Sequence, residues 1–360
     1  MDSFQHKTTT TKPYGLTYSY YLSPNFAATR QSAATAKLPV LLFVHGYPDD
    51  ARMWQDTVPH VNAKAWPMIC LDLLGFGSSS KPTESKIYNY KQQADSIAQI
   101  MEAEGIKDNI IPIGHDWGSG VSQRFYLYHR EMCSGLVLLC LAYQVPSPEP
   151  FSLEKANETT AKRFGYPQWE YWNFFTAPDA VEIMEHDLQR FFEVNNGFLE
   201  SPDPSENKRD IWMREMFCVP GAMRDYMLAQ GKYKDYTVAS KPYADLGKKQ
   251  QRFIERLAKD GLEGPVCYYH SLNQNTMLED ERLLCNSPDD KLRRIEVPLL
   301  YIGTTGDWVC RTDLMIDAKK LGLAPDCEEK VIDAGHWVMY EKPEEVAKLI
   351  QDWLLRRFQQ

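Results

Sequence analysis

No apolar stretch of this 360-residue chain approaches the ~20 residues that a membrane-crossing helix requires, so no membrane span is expected. Cys-x-x-Cys pairs are also missing. The eight cysteines, at 70, 133, 140, 218, 267, 285, 310 and 327, are scattered, and the chain is too long for a disulfide-held scaffold. Cys70 and Cys140 lie inside apolar runs, which reads as buried free thiols and a reducing, cytoplasmic setting. Positive charge is in deficit: 40 Lys and Arg face 49 Asp and Glu, for a formal net charge of -9. With no basic stripe to array against phosphates, nucleic acid is excluded as a partner. The start, Met1-Asp2-Ser3-Phe4, lacks the charged-then-apolar order of a secretory signal, and Arg357-Phe358-Gln359-Gln360 carries no address motif. Internal repeats, a dinucleotide fingerprint and a metal-ligand cluster are all lacking, so neither a metal nor an organic cofactor is expected.

What is present is ample apolar residue, 43% of the chain, which suits one large domain with an inserted lid as well as it suits two domains. Residues 16–22 read as an early strand and 27–36, rich in Ser, Ala and Thr, as a loop. Short continuous apolar runs follow at 40–44, 68–71, 110–113, 136–141 and 299–302, with a weaker one at 330–332. Such runs suit strands buried on both faces of a mostly parallel sheet. Helical patterns at 91–104, 118–130, 314–321 and 344–358 separate most of them, which indicates an α/β fold with a sheet flanked by helices. The alternation breaks at 145–294, a segment rich in aromatic residues, Met, Asp and Glu with helical patterns. Pro146-Ser147-Pro148-Glu149-Pro150 marks its entry and Asn286-Ser287-Pro288-Asp289-Asp290 its exit. The expected organisation is therefore a core of residues 1–144 and 295–360 with a helical cap, 145–294, inserted between its parts.

Gly114-His115-Asp116-Trp117-Gly118 lies between the run at 110–113 and the helical pattern from 118. Strand, sharp glycine-flanked turn and helix form the context of a nucleophile elbow. Its central residue is aspartate, where an esterase would carry serine. A carboxylate that attacks an sp3 carbon forms an alkyl ester, and water can cleave that ester at its carbonyl. Serine would form an ether, which the site could not hydrolyse. Asp116 thus points to alkyl electrophiles such as epoxides, alkyl halides or haloacids.

Ester hydrolysis needs a base for water, commonly a histidine oriented by a second carboxylate. Gly306-Asp307-Trp308 follows the strand run at 299–302 and supplies Asp307. Asp333-Ala334-Gly335-His336-Trp337 follows the last run and supplies His336, with Asp333 a less favoured competitor because it lies so near along the chain. Two backbone N–H donors are needed for the oxyanion. Trp117, next to the nucleophile, gives one, and Tyr47 in the turn His45-Gly46-Tyr47-Pro48 gives the other.

Together these residues resemble the α/β-hydrolase-fold epoxide hydrolases of the soluble type. The resemblance runs through His45-Gly46-Tyr47-Pro48-Asp49, Asp72-Leu73-Leu74-Gly75-Phe76-Gly77-Ser78-Ser79, the Asp116 elbow, Gly306-Asp307, and Gly335-His336-Trp337 leading to Glu341-Lys342-Pro343-Glu344-Glu345-Val346. It implies two cap tyrosines that protonate the departing epoxide oxygen. Tyr171, before Trp172-Asn173-Phe174-Phe175-Thr176-Ala177-Pro178, and Tyr269, after Gly264-Pro265, hold those positions, Tyr269 being favoured over Tyr268 by register. The implied activity is hydrolysis of a small-molecule epoxide to a vicinal diol, and homo-oligomerisation is left open. Trp117, Trp169, Trp172, Phe174 and Phe175 are the expected pocket lining. The cap is long, with extra sequence around 201–208 and 232–249. Haloalkane dehalogenase chemistry and an epoxide-opening cyclase are the competing readings. The first would have no use for the tyrosine pair, and the second could work without an ester on Asp116.

Overall fold

The computed structural model describes residues 1–61, 66–203, 209–243 and 245–359. Its eight-stranded sheet forms from β1 (Gln5–Thr11), β2 (Leu16–Leu22), β3 (Val40–Val44), β4 (Met68–Asp72), β5 (Ile110–His115), β6 (Leu136–Leu139), β9 (Leu299–Thr304) and β10 (Cys327–Ile332), in the order β1-β2-β4-β3-β5-β6-β9-β10. β1 and β2 are antiparallel additions, and the six strands from β4 to β10 run parallel. β3, β4, β5, β6 and β9 are buried at every residue, as their unbroken apolar runs require when helices cover both sheet faces. Register aligns the strand ends: Val44 pairs with Gly114, His115 with Leu139, and Thr304 with Ile332. The loops after β3, β5, β9 and β10 therefore leave along one edge of the sheet.

Between β6 and β9 the chain forms helices, the longest being Leu153–Phe164, Leu246–Asp260 and Glu263–Asn273, and a two-stranded ribbon of β7 (Gly197–Phe198) and β8 (Ala239–Ser240). The expected extra segment at 201–208 falls partly outside the described residues, since 204–208 are not among them. The one at 232–249 contains β8 and the start of the Leu246–Asp260 helix.

Several local expectations need correction. Residues 27–36, read as a loop, lie almost wholly in a helix, α1 (Phe26–Thr35). Its alanines favour helix more than its Ser and Thr oppose it. Phe26 and Ala33 are buried, and the Arg30 guanidinium donates to the carbonyls of Glu104 at 2.5 Å and Gly105 at 2.6 Å. β1 left no apolar trace because its sequence, QHKTTTT, lies on the sheet edge and buries only Thr11. β6 ends at Leu139 although the apolar run continues to Leu141, because Cys140, whose amide still donates to the Ile302 carbonyl at 2.8 Å, takes φ 62° and turns the chain out of the strand.

α2 (Tyr90–Ala103) and α3 (Trp117–Tyr128) flank β5 in sequence. α3 packs so tightly against β3 that a Cβ at Gly118 would lie 2.2 Å from the Val44 carbonyl oxygen and 2.3 Å from that of His45. Both obstacles are backbone and cannot rotate away. Gly118→Ala should cost about 3 kcal/mol, the upper range for overpacking, read as a lowered urea midpoint. Gly247→Ala, with open space around it in the Leu246–Asp260 helix, should instead be neutral or stabilise by about 0.5 kcal/mol.

Candidate active site

Asp116 sits between β5 and α3 with φ 54° and ψ -124°, a conformation costly for a residue with a side chain. The turn after β3 reaches over it. A Cβ at Gly46 would fall 2.5 Å from Asp116 Oδ1, so only glycine lets this turn come so near. The Tyr47 amide then donates to Oδ1 at 2.9 Å, and the Trp117 amide also hydrogen-bonds to the carboxylate. His45 holds the turn: its Nδ1–H donates to the Gly46 carbonyl at 2.9 Å while Nε2 accepts the Leu73 amide at 3.0 Å. Burial keeps His45 neutral, pulled down to about 4. Burial also pushes the Asp116 carboxyl above its ordinary value, against the opposing pull of His336 and the two amides.

His336 Nδ1 lies 2.6 Å from Asp307 Oδ2, which leaves Nε2 facing Asp116 Oδ2 at 3.7 Å. Asp307 Oδ1 accepts the amides of Val309 at 3.0 Å and Cys310 at 2.6 Å. Burial opposes charge on Asp307, but the imidazole and these amides outweigh it and hold the carboxyl below its usual range. Burial likewise disfavours the imidazolium, yet the Asp307 carboxylate holds His336 well above its ordinary value. The competitor Asp333 is exposed and accepts the Thr305 hydroxyl at 2.6 Å.

Tyr171 and Tyr269 are both buried, with ring centroids 5.8 Å apart at 81°. Burial raises both phenols well above their ordinary value, and the charge of Asp116 adds to the effect, so both remain protonated donors. Tyr268 faces away: its hydroxyl donates to Gln93 Oε1 at 2.8 Å. A cavity of about 240 Å³ opens onto Asp116 and Tyr171 and is lined by Trp117, Trp169 and Trp172, as expected from sequence. Phe174 and Phe175 are not in its wall. Phe175 packs on Tyr47, Tyr171 and Tyr269 behind the cavity, and Phe174 lies under the Arg224 guanidinium. Tyr269 stands beside the cavity with its ring against Trp117 and Trp172.

Tyr90, Arg124, Glu281 and Cys310 also line the cavity and went unnoticed in the sequence. Arg124 Nε and Nη2 meet the two Glu281 oxygens at 2.7 and 2.8 Å, joining α3 to the Leu278–Cys285 helix. The available signal was an arginine among the apolar and small residues of a helix that follows the elbow.

The alpha/beta hydrolase fold family matches residues 39–343. The chain belongs to that family. This hydrolase is 25% identical over 354 residues to an epoxide hydrolase of Neurospora crassa, covering 94% of this chain and 92% of that protein. It is 22% identical over 352 residues to epoxide hydrolase B of Mycobacterium tuberculosis, covering 88% and 91%. The structure of an epoxide hydrolase from an endophytic Streptomyces superposes with a TM-score of 0.74 at 21% identity, over 98% of this chain and 96% of that one.

Among the described residues of the hydrolase, two triplets bring ligand-type atoms within 4.8 Å of one another: His115, Cys140 and His336, and Asp307, Cys310 and His336. The donors fit a metal poorly. Burial pushes the Cys140 thiol up to about 11 and the Cys310 thiol further, so neither offers a thiolate, and His336 Nδ1 is committed to Asp307. The contacts hold His336 instead: its carbonyl accepts His115 Nε2–H at 2.9 Å and the Cys140 thiol at 3.3 Å. Asp307→Asn should let the His336 imidazole titrate about one to three pH units lower, measured by NMR of the ring protons.

Proposed function

We propose that this hydrolase converts epoxides and water to vicinal diols through a covalent ester on Asp116. The observation that carries the reading is a carboxylate, not a hydroxyl, at the elbow, with two buried phenols beside it and His336 Nε2 at 3.7 Å. The epoxide-hydrolase names of its relatives support it. A halide would leave as an anion and would call for no proton donors, so the phenol pair favours epoxides over alkyl halides.

The epoxide enters the cavity between the core and a cap formed by residues 145–294. Tyr171 and Tyr269 donate to its oxygen while Asp116 attacks one ring carbon, which avoids a free alkoxide. Esterification removes the charge on Asp116. His336 loses one of the two carboxylates that favour its protonation, its proton passes through solvent to restore the phenol that protonated the alkoxide, and it becomes a base. It then deprotonates water for attack on the ester carbonyl, Asp307 stabilises the imidazolium that forms, and the amides of Tyr47 and Trp117 receive the oxyanion. The residues just named serve without a metal or organic cofactor. Eight free thiols support a reducing, cytoplasmic setting.

His336→Gln should form the ester but hydrolyse it slowly, so that a substrate adduct on Asp116 accumulates and is seen by mass spectrometry. An absence of adduct with a good epoxide substrate would overturn the reading, as would single turnover in 18O-water that never labels the Asp116 side chain. A cyclase that bypasses the ester would give the same negative result.

Tyr171→Phe and Tyr269→Phe should each slow ring opening about 100-fold and leave decay of a preformed ester unchanged. Ester formation should fail on the acid side, where the raised carboxyl of Asp116 takes up a proton, and ester decay should accelerate as rising pH removes the proton from His336. Rapid-quench measurement of the two steps across pH checks both directions.

A further inference from the structure

The turn that carries His336 is gripped from the insertion. Lys241, just after β8, is buried at 7% exposure. Its ammonium lies 3.1 Å from Asp210 Oδ2 and 3.2 Å from Glu341 Oε1. Glu341 Oε1 also accepts the amide of Gly335, the residue before His336, at 3.0 Å. A Cβ at Gly335 would lie 2.2 Å from Lys241 Nζ, so glycine is what lets the ammonium rest against this main chain. Burial disfavours the lysine charge, but the two carboxylates outweigh it and hold the ammonium above its ordinary range.

Asp210 ties the same group to the other loop. Its carbonyl accepts the indole N–H of Trp308, which adjoins Asp307, at 2.9 Å. The Arg209 and Arg214 guanidinium carbons lie 4.0 and 4.5 Å from the Trp308 ring. The Gly306 amide donates to the Ala334 carbonyl at 2.9 Å, so the two loops are also bonded to each other.

We infer that Lys241 is a positioning residue that, held between Asp210 and Glu341, fixes the aim of the His336 turn and thereby serves ester hydrolysis but not ester formation. The inference rests on the reading that Asp116 forms an ester and His336 hydrolyses it. Attack by a carboxylate needs no base, whereas hydrolysis needs Nε2, a water and a carbonyl in line, and small misplacements there are costly. Without the ammonium, the half-buried carboxylates of Glu341 and Asp210 lose the cation that both face. Glu341 then turns to solvent or takes up a proton, and the Gly335 amide loses its anchor.

The test is Lys241→Met in the full chain, with rapid-quench mass spectrometry of the Asp116 adduct on an epoxide that the unaltered enzyme turns over. Adduct formation should stay within about twofold, and its decay should slow by about tenfold or more. At steady state kcat and KM should fall together, with kcat/KM unchanged. A generally loosened enzyme would instead lose kcat/KM at constant KM. That pattern, or decay at the unaltered rate, overturns the inference. Glu341→Gln keeps an acceptor for Gly335 while removing the ion pair. It should slow decay about fivefold, and it decides the question if Lys241→Met does not fold. Absence of any adduct or 18O label in the unaltered enzyme would defeat the ester reading itself. A normal ester whose decay ignores both substitutions would defeat only the role of Lys241.

Discussion

A carboxylate held out of water at the edge of a parallel sheet is the constraint on which the rest of this structure depends. The Asp116 side chain is largely shielded, at 15% exposure, yet in the proposed reaction it must ionise to attack. Left alone there, it would simply take up a proton. The fold answers with two backbone amides, which need no charge of their own, and with an imidazole 3.7 Å away. In the proposed reaction the same amides serve two successive states, first the carboxylate and then the oxyanion formed from it. The positive φ at Asp116 and the glycines around it follow from the same demand, because the carboxylate reaches the Tyr47 amide only if two backbones nearly touch.

The insertion does more than close the cavity. It supplies the two phenols, whose burial keeps them protonated next to a carboxylate. It is fastened to α3 by the bidentate Arg124–Glu281 pair in the cavity wall. It is fastened to the loops of Asp307 and His336 through Asp210, Lys241 and Trp308. A shift of the insertion would therefore move the cavity wall, the two phenols and the His336 turn together.

Legibility from sequence followed burial. Strands β3, β5, β6 and β9 read clearly because both faces are covered and every residue is apolar or nearly so. β1 and the start of β10 were opaque because edge strands can be polar, as QHKTTTT and CEEKVI are. α1 was hidden by Ser and Thr residues whose side chains face solvent. In the site, Asp116, Asp307, His336, Tyr47 and Trp117 each stood at the end of a recognisable strand. Tyr171 and Tyr269 carried no such mark and came from the resemblance. Arg124 offered only an arginine among apolar and small residues, and Glu281 and Lys241 offered nothing, since their partners lie 157 residues away for the Arg124–Glu281 pair and 100 for Lys241 and Glu341.

By itself the sequence determined the sheet-and-helix alternation and the presence of a carboxylate in the glycine-flanked turn between β5 and α3. Those follow from local periodicity and turn chemistry, which act over a few residues. Only the tertiary structure decided that Phe174 and Phe175 stand outside the cavity, and that a lysine of the insertion grips the histidine turn. Those are questions of which surfaces meet, and nothing short of the packed chain brings the surfaces together.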